Sequence, residues 1–98
     1  MNRFIIAAVS TLSVWPAQAA TFSYTCRVDG KSLKVKIDDA KKTLLWRGNV
    51  YRIREEESCA RYGWHAERKG EAFDFCTATQ GYADFHEGDR LVQCDQDR

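Results

Sequence analysis

The stretch "FSYTCRVDGKSLKVKID", residues 22–38, decides the fold. Phe22, Tyr24, Cys26 and Val28 share one parity, while Ser23, Thr25 and Arg27 share the other. After Asp29-Gly30 the pattern resumes, with Leu33, Val35 and Ile37 alternating with Lys34, Lys36 and Asp38. A period of two belongs to a strand with one face buried and the other wet. Asp-Gly between two such runs is a strong hairpin signal, because both residues tolerate the positive φ of a tight turn. Residues 22–38 therefore read as an antiparallel hairpin.

The same pattern continues downstream. Further strands are predicted at 43–47, 50–55, 60–68, 72–79, 81–86 and 89–95, punctuated by Gly48-Asn49, Lys69-Gly70, Gln80-Gly81 and Glu87-Gly88. No window carries a sustained apolar stripe at helical spacing, and residues 20–98 contain no proline, internal repeat or low-complexity tract. Short strands joined by tight turns make a meander, and a narrow sheet hides its edges best by curling on itself. The expected fold is all-β: a small antiparallel β-barrel of about eight strands, stapled by disulfides.

The first nineteen residues, "MNRFIIAAVSTLSVWPAQA", place Arg3 before an apolar run and Ala17-Gln18-Ala19 after it. That is the layout of a secretory signal peptide, with an apolar part too short to span a bilayer. Residues 1–19 are thus expected to be cleaved and 20–98 to form a single soluble domain, periplasmic in a Gram-negative cell. No cysteine stands at the cleavage point to carry a lipid, so no stable membrane anchor is expected. Loss of Arg3 brings the fifteen Lys and Arg down to fourteen, matching the fourteen Asp and Glu. A neutral small domain lacks the basic footprint that nucleic acid or an anionic membrane surface requires.

A chain of this size needs staples, and four cysteines supply them. Cys26, Cys59, Cys76 and Cys94 contain no C-x-x-C, so disulfides are expected rather than zinc, and no cofactor is implied. Cys26 lies on the apolar face of the first strand, and Cys94 shares a face with Val92 on the last. Closure of the barrel would make those strands neighbours, so parity favours Cys26–Cys94. Cys76 shares its parity with Asp74 and looks outward, while Cys59 sits where a loop enters a strand. Pairing Cys59 with Cys76 would pin that loop from outside.

"YTC" near the start, "SLKVKI", "NVYRI", Ser58-x-Ala60-Arg61-Tyr62, "KGEA" at 69–72 and a final "DRLVQC" appear in an order that resembles the membrane-bound and periplasmic inhibitors of c-type lysozyme. The resemblance runs from Phe22 to Cys94. It implies an eight-stranded barrel tied between its terminal strands, and a function: plugging the active-site cleft of a c-type lysozyme. In that family a Ser-Gly-x-x-Tyr loop enters the cleft and a lysine from a nearby loop joins it. Carried onto this chain, the serine is Ser58, the tyrosine Tyr62 and the lysine Lys69. Two departures stand out: Cys59 replaces the family's glycine, and Tyr62 and Lys69 are closer in sequence than in the family pattern.

The chemistry of such a contact is straightforward. Lysozyme works with two carboxylates, and a plug must offer them donors or a cation. Ser58 supplies a hydroxyl and Lys69 a point charge, with Arg61 and Arg68 as alternative cations. Glu55, Glu56 and Glu57 could meet the basic rim of the enzyme and speed encounter. Against these stand plainer roles: Ser58 bonding its own loop, Tyr62 packing at the rim of the core, Lys69 filling a hairpin turn, Trp46 packing, and both histidines on the surface without a metal. The chain carries no nucleophile signature, so it is not expected to be an enzyme, although Asp74 and Asp84 with His65 or His86 are the residues a hydrolase would draw on. The other class is a secreted binding barrel for a glycan or another protein, using a surface aromatic such as Trp64 or Tyr82. The sequence leaves the oligomeric state open.

Overall fold

The computed structural model describes residues 20–97; the signal-peptide assignment at 1–19 lies outside them. Eight strands follow one another: β1 (Thr21–Val28), β2 (Lys31–Asp38), β3 (Thr43–Trp46), β4 (Asn49–Glu55), β5 (Tyr62–Arg68), β6 (Glu71–Thr77), β7 (Tyr82–Glu87) and β8 (Arg90–Gln96). Each pairs antiparallel with its neighbour in sequence, and β1 pairs with β8 to close the barrel. Among the described residues the only helical turn is a 3-10 turn at Thr79–Gly81, and no helix is long and apolar enough to cross a membrane.

The alternation in residues 22–38 does what it promised. Tyr24, Cys26 and Val28 of β1 and Val35 and Ile37 of β2 point into the core, while Arg27, Lys34 and Lys36 are exposed. Trp46, Trp64, Phe75 and Phe85 fill the centre, each at most 1% exposed. They meet edge-on or tilted, as in Trp46 on Phe85 at 5.1 Å and Trp64 on Phe75 at 6.3 Å. Eight short strands leave an interior that these side chains occupy, so ligands must be sought on the outside.

Cys26 and Cys94 face each other across the closing seam and form a disulfide, as Cys59 and Cys76 do elsewhere. The first crosslink closes a 68-residue separation and the second a 17-residue one. Loop entropy makes them worth about 4 and about 3 kcal/mol respectively. The shortest ladder is β6–β7, where only Cys76↔Asp84 and Thr77↔Ala83 pair. Phe73 closes the remaining gap by stacking on Phe85 at 4.5 Å.

Most predicted strand limits shift by a residue or two. The strand expected from residue 60 begins at Tyr62, because Ala60 and Arg61 belong to a bend beside the bridged Cys59. The strand expected to run to 79 stops at Thr77, where the chain turns through Gln80 at φ 66°.

A meander barrel sorts its connections by parity, and here the two ends differ. One end carries four two-residue turns. Asp29-Gly30, Arg47-Gly48 and Lys69-Gly70 have positive φ at both positions, and Gly88-Asp89 at its glycine alone. The other end carries the connections 39–42, 56–61 and 78–81 together with Ala20 and Asp97. We call these the turn end and the loop end.

Candidate functional site

The connection 56–61 at the loop end is built to stay still without regular structure. Glu56 N–H donates to the carbonyl of Gly63 at 2.9 Å, fixing the start of the connection against β5. Cys59 is anchored to Cys76 on β6, and Thr77 Oγ1 donates to the Tyr62 carbonyl at 2.7 Å. The disulfide lies over Gly63, where a Cβ would overlap both Cys59 Sγ and the Phe75 carbonyl oxygen. A bulkier residue at 63 therefore has to push aside the crosslink and the β6 backbone together. This requirement is not visible in the sequence until Cys76 is known to face Gly63.

Ser58 sits exposed on this anchored loop. Its hydroxyl donates to Glu56 Oε2 at 2.6 Å and its backbone N–H to the same oxygen at 3.1 Å. Two donors from one residue thus converge on one carboxylate oxygen. They hold the Glu56 carboxyl below its ordinary range, Ser58's hydroxyl contributing most. The plainer reading of Ser58, that it bonds within its own loop, describes this geometry as it stands.

Tyr62 is 40% exposed and rests edge-on against Trp64 at 4.9 Å. Its hydroxyl pKa is raised by burial first and by Asp39 next. Asp39 accepts from Trp64 Nε1 at 3.3 Å and pairs with Lys42 at 3.0 Å. The 39–42 connection thereby adds a cation and an anion beside Tyr62 that sequence reasoning did not include. The signal was present in the strand count, since alternate connections of a meander share an end. Phe22, Arg61, Tyr62 and Gln96 border a shallow depression of about 220 Å³ there.

The structure brings Glu57, Ser58, Arg61 and Tyr62 to the loop end and puts Lys69 at the turn end. The length of β5, about 23 Å at 3.3 Å per residue, separates Lys69 from Tyr62. Lys69 occupies its hairpin turn at φ 46°. Arg68 lies beside it, 3.8 Å from Glu71.

The residues a hydrolase would draw on are also placed. Asp74 stands opposite His65 across β5–β6, with His65 Nδ1 and Asp74 Oδ1 2.7 Å apart. Asp84 pairs across the sheet with Cys76, and His86 lies opposite Leu91 on the β7–β8 side. The Ser58 hydroxyl donates its hydrogen bond to Glu56 Oε2. Trp64 is buried at 1% exposure, which removes it as a surface platform for a sugar; Tyr82, at 54%, remains on the outside. Trp46 packs inside, its Nε1 donating to Glu87 at 2.9 Å.

No protein-family model, no curated protein and no solved structure matches the chain.

Proposed function

We propose that the protein is a periplasmic inhibitor of c-type lysozyme, acting through the loop end of its barrel. One observation carries the reading: the Ser58 hydroxyl and N–H converge on a single carboxylate oxygen at an exposed, crosslinked loop. That arrangement is suited to receiving a carboxylate, and Glu56 fills it in the free protein. In the proposed complex a catalytic carboxylate of the enzyme takes the place of Glu56. One charged acceptor is exchanged for another, so the two donors are never left unpaired.

The order of motifs from "YTC" to "DRLVQC" supplies the identity of the partner. The two disulfides and the absence of a membrane-crossing helix among the described residues accord with export to an oxidising compartment. Arg61, at the same end as Ser58, serves as the cation in place of Lys69. Tyr62 offers an apolar face already supported by Trp64. A loop held by Cys59–Cys76 loses little freedom on binding, which favours affinity. Glu55 and Glu57, exposed beside Ser58, steer the approach to a basic enzyme surface.

The test is lysis of a Gram-positive cell-wall suspension by a c-type lysozyme, titrated with the mature protein and with Glu56→Ala. Dose-dependent inhibition is expected, and Glu56→Ala should inhibit at lower concentration because the competing carboxylate is gone. Absence of inhibition at large molar excess, with both disulfides intact, would refute the reading. Inhibition that Glu56→Ala leaves untouched would refute the exchange of carboxylates.

A further inference from the structure

We propose that Glu56, His65 and Asp74 form a binding site for one divalent transition-metal ion of the zinc class. The sequence offers no metal spacing here; strand register creates the cluster. The two-residue turn at Lys69-Gly70 sets His65 opposite Asp74 on the outer face of β5–β6. The Glu56–Gly63 backbone bond brings in the third residue from the end of β4. One donor atom from each residue lies within 4.8 Å of the others. Zinc holds such atoms at about 2.0–2.2 Å, so a modest contraction of side chains completes a three-ligand set.

The donors select the class of ion. An imidazole with two carboxylates is a borderline set that suits zinc, whereas magnesium and calcium favour oxygen alone. Ser58 uses Oε2 of Glu56, leaving Oε1 to ligate. His65 Nδ1 faces Asp74, and the ion takes the position of the proton shared between them. The imidazole then keeps its proton on Nε2, on the side of Glu67, whose Oε2 lies 3.8 Å away. Glu56, Glu67 and Asp74 are faced across β4–β5 by two cations, Arg54 opposite His65 and Arg52 opposite Glu67, which leaves the three carboxylates one charge in excess for a divalent cation to offset. The His65 side chain is only 20% exposed, so its ring is already held by packing before an ion arrives.

This site does not depend on the inhibitor reading, and its test requires no lysozyme. The mature, disulfide-bonded protein is titrated with zinc chloride by calorimetry, with NMR on the histidine rings. One saturable site per chain is expected, with the His65 resonances moving and those of His86 unmoved. His65→Ala should abolish binding, and Asp74→Asn and Glu56→Gln should each weaken it about tenfold or more. His86→Ala should change nothing, and magnesium chloride should give no saturable heat. Circular dichroism and a melting curve on each variant separate loss of the site from loss of the fold. No saturable zinc binding to the folded protein would overturn the assignment. So would binding that survives in folded His65→Ala, or magnesium binding as tight as zinc.

Discussion

The two ends of the barrel are made from the same strands yet built by opposite rules. At the turn end the chain reverses in two residues each time, with glycine in every turn and left-handed backbone that fixes the register of the hairpins. At the loop end it reverses over four to six residues, and order is imposed by side chains and a crosslink. The difference separates two tasks. Tight turns position strands but present little surface, whereas a longer connection presents side chains and must be tied down. In this protein the ties are Cys59–Cys76, the Glu56–Gly63 bond and a clasp in which the Asp97 carboxylate accepts from Ser23, Thr25 and Lys34.

Removing one crosslink at a time offers the coarsest way to break the comparison. Cys26→Ser with Cys94→Ser should cost about 4 kcal/mol in urea denaturation, and Cys59→Ser with Cys76→Ser about 3 kcal/mol. Activity should show the reverse order, with the second pair inhibiting less well because its loop is freed. Equal inhibition by the two variants, both folded, would remove the argument for a pre-ordered loop.

Gly63→Ala probes the fit beneath that crosslink. Overlap with Cys59 Sγ and the Phe75 carbonyl should destabilise the protein by about 1–3 kcal/mol in the same assay. In the Cys59→Ser, Cys76→Ser background the penalty should shrink, since a hydroxyl needs less room than the bridge. A penalty unchanged in that background would assign the strain to the Phe75 carbonyl alone.

Asp97 sharpens the comparison by pH. Its carboxylate binds Lys34, Thr25 and Ser23 at the loop end, and these bonds lower its pKa from 3.8 to about 2. The unfolded chain therefore binds this proton more tightly than the folded one. The clasp contributes fully above about pH 4, and its contribution is lost as the pH falls through 2. Melting temperature followed across that interval should fall less steeply for Asp97→Asn than for the parent protein. Equal slopes would show that the clasp adds nothing. A smaller effect still is expected from Glu55→Gln with Glu57→Gln: slower association with lysozyme at low salt, and no difference at high salt.

Much of this was legible from residues 22–38 onward. Alternation marked the inward faces, and parity paired Cys26 with Cys94 because a closed meander must bring its terminal strands together. Hairpin arithmetic held more than was taken from it. A two-residue turn at 69–70 places 65 opposite 74 and 63 opposite 76, which already joins His65 to Asp74 and seats Cys76 over Gly63. Counting connections likewise assigns Ser58 and Lys69 to opposite ends, since they flank the same strand. The family resemblance drew them together because its pattern is linear, and a linear motif carries no information about which end a loop occupies. What sequence could not hold was the turning of the Ser58 hydroxyl toward Glu56, a choice made by rotamers and local geometry. The short β6–β7 ladder was equally hidden, because it sits beside the stacking of Phe73 on Phe85, a choice of side-chain packing.

The most direct measurement sets the two ends against each other in one lysis titration, using the parent protein, Ser58→Ala and Lys69→Ala. Ser58→Ala should raise the concentration for half inhibition about tenfold or more, the loss of a hydrogen bond to a charged group. Lys69→Ala should match the parent, because its side chain lies at the far end of β5. Weakened inhibition by Lys69→Ala with Ser58→Ala unchanged would contradict the account and move the contact to the turn end.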